Sequence, residues 1–296
     1  MAPRIDLFVE IDPQQKERIV RALQHGGHAV GYLGDGINDA PALHAADVGI
    51  SVSGAVDVAR ESADVLLLQP DLDVLCQGVR DGRRTFTNTL KYISITTSGT
   101  FGNMLSMALV TPLLPFLPLL AKQILLNNFL SDLPYLAIAG DNVDAWRLSH
   151  PTRWRVVELR HFLLTFGIVS SAFDMVTFFL LLKVFQADSA TFQTAWFVVS
   201  LLTELAVVMV LRTEAPFWRS RPGSLLAWTA LGVGLVALLL PWLGPVATLF
   251  GFTRLQIPLL MTLGAIVIGY VAATEMAKFV FYRADRATRA ALNPRR

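Results

Sequence analysis

The sequence predicts two regions in series: an α/β region built on parallel strands, then an all-α membrane region of about six transmembrane helices. Three observations predict this. Residues 1–91 have ordinary soluble composition, whereas long apolar runs dominate from Tyr92 onward. Over the 296 residues only 16% are charged and the mean hydropathy is +0.50, against a charged share of about 25% in soluble domains. Within the first region, short apolar segments alternate with short helical ones, the pattern of parallel βα units. The net charge of +2 is too near neutral to suggest nucleic acid as a partner.

The elements follow in order. Asp12-Pro13-Gln14-Gln15 reads as a helix start, with Asp12 as cap, Pro13 at the first helical position and Gln15 closing a capping box. Ile19, Val20 and Leu23 give that helix an apolar face, and Gly26-Gly27 ends it. A strand is predicted over His28–Leu33, a helix over Ala40–Ala46, a strand over Val48–Val52, a helix over Val56–Ser62 and a strand over Ala63–Leu68. The region is small for a complete doubly-wound domain and reads as half of one. A helix from Leu72 through Tyr92 leads to the membrane part. The single cysteine, Cys76, excludes an internal disulfide and a thiolate metal site, and reads as a buried structural thiol. Met1 to Glu10 lack the apolar core of a signal peptide.

Six apolar segments follow, roughly 92–112, 117–139, 162–185, 194–213, 224–247 and 257–281, each near the ~20 residues that span a bilayer. Alternate connections carry the positive charge. One set holds Arg147, Arg153, Arg155 and Arg160, then Arg212, Arg219 and Arg221, then Lys278, Arg283, Arg286 and Arg289. The other set has only Lys183 and Arg254. The positive-inside rule therefore predicts a cytoplasmic N-terminus and C-terminus.

The string Gly34-Asp35-Gly36-Ile37-Asn38-Asp39-Ala40-Pro41 falls where the first strand ends, the edge at which open α/β sheets bind ligands. Gly34 and Gly36 permit a sharp turn and close approach of a ligand. Asp35, Asn38 and Asp39 supply hard oxygen atoms, the donors that suit magnesium bound together with a phosphate. An Asp/Asn/Gly turn of no further consequence is the alternative for a shorter string.

The whole string, with Leu43 and Ala46-Asp47-Val48-Gly49-Ile50, resembles the hinge signature of P-type ATPases, which belong to the haloacid-dehalogenase-like (Rossmann-like) phosphotransferases. The resemblance implies that residues 1–80 are the C-terminal half of a phosphorylation domain, 81–91 a stalk helix and 92–296 the transmembrane domain. It implies that Asp35 and Asp39 hold a catalytic Mg2+, with Asn38 beside them, and that Lys16 contacts the phosphoryl group. ATP is implied as co-substrate. The family's nucleophile string Asp-Lys-Thr-Gly-Thr, its nucleotide-binding domain, its Thr-Gly-Glu actuator loop and four further membrane helices do not occur in these residues. The chain alone is therefore expected not to form an aspartyl-phosphate, and the N-terminal pump domains are its expected partners, with a truncated gene or incomplete gene prediction as the simplest account.

Within the apolar segments, ionisable residues mark functional positions. Asn128 and Asp132 are four apart and share a helix face; Asn127 is adjacent, and Pro134 frees backbone carbonyls. With Asn103 of the first segment they are the expected ligands of a transported cation, Asn103 having an interhelical hydrogen bond as its alternative. Asp174, Glu204 and Glu275 are weaker candidates, the last near the interface. Lys91-Tyr92-Ile93, Phe101-Gly102-Asn103, Pro115-Phe116-Leu117-Pro118, Ser131-Asp132-Leu133-Pro134, Asp141-Asn142-Val143-Asp144, Pro151-Thr152-Arg153-Trp154 and Ala195-Trp196-Phe197 resemble bacterial magnesium-transporting ATPases. That implies part of a magnesium importer in the bacterial inner membrane. The alternatives are a calcium-type pump, a membrane ion path or accessory protein without catalysis, and a membrane-tethered phosphatase, for which Asp6 and Asp12 lack the context of a nucleophile.

Overall fold

The computed structural model describes residues 6–292 except Pro70, His150 and Arg153, with side chains described as far as Arg283. Arg153, Arg286 and Arg289, used above for membrane orientation, thus lie outside the described residues or side chains. The chain divides into two compact units, Met1–Asp81 and Gly82–Arg296.

The first unit opens with α1 (Pro13–His25). Its capping box forms: the Asp12 carboxylate accepts from the Gln15 N–H at 2.7 Å and the Gln15 side chain accepts from the Asp12 N–H at 3.1 Å. Then come β1 (Gly31–Leu33), a single 3-10 turn over Ile37–Asp39, α2 (Ala40–Ala45), β2 (Val48–Val52), α3 (Asp57–Glu61) and β3 (Val65–Leu67). The strands form a parallel sheet in the order β1-β2-β3, with Gly31 opposite Val48 and Ile50 opposite Val65. Parallel neighbours need crossover connections, and α2 and α3 provide them. Val20, Ala42, Leu43, Ile50, Ala59 and Leu67 make the small core. The predicted strands and helices all appear: β2 has the predicted bounds, and β1, α2, α3 and β3 are shorter than expected.

α4 (Leu72–Val110) is continuous over 39 residues, about 58 Å at 1.5 Å per residue. Cys76, expected to be buried, is exposed near its start, where the helix has few packed neighbours.

In the second unit α4 is followed by α5 (Ala121–Ala137), α6 (Ala145–Ser149), α7 (Val156–Phe179), α8 (Ser189–Leu211), α9 (Ser224–Leu239), α10 (Gly244–Phe250) and α11 (Ile257–Leu292). α7 ends in one π-helical turn over Leu180–Val184. Asp188 caps α8 by accepting from the Thr191 N–H at 2.9 Å. α8 is the hub: it packs against α5, α7, α9 and α11, and 72% of its apolar window is buried by protein. A helix apolar on every side is stable only when surrounded in this way. Close approach of α4 and α7 rests on two glycines: a Cβ on Gly102 would lie 2.9 Å from Ser170 Cβ, and one on Gly167 2.5 Å from Phe101 Cδ1.

Among the described residues, four helices are long and apolar enough to cross a membrane: Val156–Val184, Ser189–Leu211, Ser224–Trp242 and Ile257–Arg283. The chain is thus built as a multi-pass membrane protein. The first two expected segments coincide with the C-terminal part of α4 and with α5, whose 17 residues include Pro134.

Candidate functional sites

In the first unit the turn after β1 is held tightly from below. The Gly34 N–H donates to the Ile50 carbonyl at 3.0 Å, and the buried Ser51 hydroxyl donates to the Gly34 carbonyl at 2.8 Å. Gly34 itself is buried against Asp39: a Cβ there would sit 2.5 Å from Asp39 Cβ. Glycine is required at this position by close approach, not by an unusual φ. The Gly36 N–H donates to Asp39 Oδ2 at 3.2 Å, while the Asp39 N–H donates to the Gly36 carbonyl at 3.0 Å.

Asp39 is the more engaged of the turn's two carboxylates. Its Oδ1 accepts from Lys16 Nζ at 2.8 Å and from the Tyr32 hydroxyl at 2.7 Å. α1 therefore delivers Lys16 to the same turn that carries Asp35, Asn38 and Asp39. Burial works to raise the Asp39 pKa. The Lys16, Tyr32 and Gly36 hydrogen bonds and the Lys16 charge outweigh it and hold the carboxyl below its usual range. Tyr32 is pushed well above its usual range by burial and by its hydrogen bond to the Asp39 carboxylate. Asp35 and Asn38 are exposed, and the Asp35 carboxylate accepts no hydrogen bond among the described residues.

In the second unit two helices bring amides to a carboxyl carried by a third. Asn103 Nδ2 of α4 lies 2.5 Å from Glu204 Oε1 of α8, and Asn127 Nδ2 of α5 lies 3.1 Å from the same oxygen. Glu204 is 9% and Asn127 4% exposed. Glu204 Oε2 and Asn127 Oδ1 are buried oxygens without a hydrogen-bond partner. Buried acceptors left unserved are costly. Asn128 and Asp132 share a face of α5, as their spacing requires, and that face is exposed in this chain. Asn127 and Ser131, one residue back in each case, point inward.

A second buried cluster fixes the end of α5. Asp141, 1% exposed, accepts from Lys91 Nζ at 2.9 Å, from Arg212 Nη1 at 3.3 Å and from the Gly223 N–H at 2.9 Å. Asp144 accepts from the Thr213 hydroxyl at 2.9 Å. Glu275 lies 2.9 Å from Lys278, which also donates to the Val210 and Ala215 carbonyls.

The profile of the family described as Cation transporting ATPase, C-terminus, matches residues 116–280. That is more than half of the chain. The chain belongs to the cation-transporting ATPases. It is 45% identical over 288 residues to the magnesium-transporting ATPase, P-type 1, of Salmonella typhimurium, covering 96% of this chain and 32% of that protein. The Escherichia coli (strain K12) protein of the same name is 44% identical over the same shares. Another Salmonella typhimurium protein of that name is 40% identical over 94% of this chain and 31% of its own length. The chain thus spans about a third of the length of the curated relatives it matches.

The sequence signals of this family member differ in reach. The hinge string is legible in the sequence because all its residues lie within eight positions. The Glu204 cluster is not, because Asn127 and Asn103 lie 77 and 101 positions from Glu204.

Proposed function

We propose that this chain is the C-terminal part of an ATP-driven pump that imports magnesium through an aspartyl-phosphate intermediate, the nucleophile lying in pump domains outside these residues. The observation that carries the reading is the Lys16–Asp39 contact of 2.8 Å. A lysine 23 positions upstream is locked to an acidic turn at the carboxyl end of β1, where a transferring phosphoryl would meet both positive charge and metal-binding oxygens. The partial sheet fits half of a haloacid-dehalogenase-like phosphorylation domain, with α4 as its stalk.

The donor set fits Mg2+. Asp35 offers a free carboxylate and Asn38 an exposed amide oxygen on one turn, and magnesium takes one or two carboxylates together with water and phosphate oxygens. Asp35 is the direct ligand in this reading, with Asn38 beside it. Asp39, whose oxygens already serve Lys16, Tyr32 and Gly36, aims the ammonium and closes the ligand turn. When bound, Mg2+ neutralises phosphate charge; Lys16 adds a second positive charge.

The transported cation passes Glu204, Asn103 and Asn127 on the inner side of α5 and Asn128 and Asp132 on its open side. That open face is where the pump's further membrane helices pack. With α4 and α5 counted, six helices cross the bacterial inner membrane and both termini are cytoplasmic. The test joins this chain to the upstream pump domains and measures magnesium-dependent ATP hydrolysis. Asp35→Ala and Asp39→Ala are expected to abolish it. Wild-type turnover in both variants would show that the turn is not the magnesium-phosphate site.

A further inference from the structure

Asp174 lies on α7 within a membrane-crossing helix and is 6% exposed. Trp196 Nε1 of α8 donates to its Oδ1 at 3.1 Å, and Ser106 Oγ of α4 lies 2.6 Å from its Oδ2. Neither neighbour carries charge. Asp174 takes part in none of the ion pairs formed among the described residues. The titratable groups that face it are Glu204 on α8 and Tyr270 on α11, and neither supplies positive charge. A carboxylate buried without a counter-charge is unfavourable enough that such groups take up a proton.

Counting hydrogens locates that proton. Ser106 Oγ is also 2.9 Å from the Gly102 carbonyl. A serine hydroxyl has one hydrogen and cannot donate to both oxygens. With Asp174 ionised, one of the two contacts has no hydrogen in it. With Asp174 protonated on Oδ2, every contact is served: the Trp196 N–H donates to Oδ1, the Asp174 O–H donates to Ser106 Oγ, and the Ser106 O–H donates to the Gly102 carbonyl. The 2.6 Å separation is within the range of O–H···O bonds.

We propose that Asp174 is a proton-binding site of the membrane region, holding a proton at neutral pH in the chain Trp196–Asp174–Ser106–Gly102, separate from the Glu204 cluster. Both sites hang between the same two helices. α4 supplies Asn103 to one and Ser106 to the other; α8 supplies Glu204 and Trp196. Trp196 and Glu204 are about 12 Å apart along the α8 axis at 1.5 Å per residue. Movement of α4 against α8 therefore alters both, and linkage makes any effect of cation binding on proton affinity reciprocal. That linkage holds only if Glu204 is a cation ligand; the proton on Asp174 does not depend on it.

The experiment is infrared spectroscopy of the full chain in lipid vesicles at neutral pH, reading the carbonyl stretch of protonated carboxyl groups. The expected result is a band that shifts in heavy water, is lost in Asp174→Asn and is kept in Glu204→Gln. Asparagine can donate to Ser106 and accept from Trp196, so this variant keeps the hydrogen-bond chain. Ser106→Ala is the second probe: it removes the acceptor of the Asp174 proton and is expected to move the band to higher frequency. Overturning results are no such band in the wild type, a band unchanged in Asp174→Asn or in Ser106→Ala, or a band lost only in Glu204→Gln.

Discussion

Glu204 and Asn103 meet at 2.5 Å in the membrane unit, although 101 residues separate them in the chain. The contact ties α8 to α4, and Asn127 adds α5 through the same oxygen. The second Glu204 oxygen is buried and unserved. Under the function proposed above, a cation would take the place of these amide partners. Glu204→Gln keeps the shape and removes the charge, and transport by the complete pump is expected to need at least tenfold more magnesium. Glu204→Ala leaves the buried Asn127 amide donor without its acceptor at about 1–3 kcal/mol, so its thermal unfolding in detergent should occur at clearly lower temperature than that of Glu204→Gln.

Asp39 makes the first unit acid-sensitive in a defined direction. Its folded pKa is depressed: burial opposes this, and the Lys16, Tyr32 and Gly36 contacts prevail. A depressed carboxyl contributes stability that is complete above the unfolded pKa of about 3.9 and is lost as pH falls through the lower folded value. Hydrogen-exchange protection of β1 and β2 is therefore expected to hold at neutral pH and to fall in acid. Lys16→Met should weaken protection at neutral pH and flatten the acid dependence.

Gly34 is a steric test of the same turn. A methyl group there would meet Asp39 Cβ at 2.5 Å and Cγ at 2.9 Å. Gly34→Ala should displace Asp39 from Lys16 at a cost of about 1–3 kcal/mol, measurable as lost protection of the turn and lost ATP hydrolysis in the complete pump. Gly54 has no atom within 4 Å of its Cβ position, so Gly54→Ala serves as the silent control.

Asp141 balances two buried cations, Lys91 and Arg212, whose side chains are 9% and 1% exposed. Removing one partner of a buried ion pair typically costs about 3–5 kcal/mol, because the remaining charge is left uncompensated. Asp141→Asn is expected to lower the thermal midpoint in detergent, whereas Arg155→Ala, in an exposed pair with Glu158, should leave it nearly unchanged.

The first unit was legible because its signals are local. Asp12 and Gln15 cap α1, and the strands sit on the short apolar runs between the helices. The membrane cluster was half legible. In an apolar helix the side that faces protein is not fixed by hydrophobicity, since lipid and core favour the same residues. Asn128 with Asp132 and Asn127 with Ser131 are equally good i,i+4 pairs, and only the packing of α8 shows which of them faces inward. Glu204 had no local context at all; its partners come from two other helices. Residue type alone suggests a buried Cys76 thiol, and the few neighbours at the start of α4 leave it exposed.

The central claim is that this chain completes a magnesium pump, its hinge turn serving phosphoryl transfer and its α4–α5–α8 cluster the ion. The most direct measurement is ATP-dependent magnesium uptake into inside-facing-correct vesicles carrying the chain joined to the upstream pump domains. Uptake is expected with the wild type and is expected to be lost in both Asp35→Ala and Glu204→Ala. Uptake at the wild-type rate in either variant, or none with a folded and phosphorylated wild-type pump, would contradict the account.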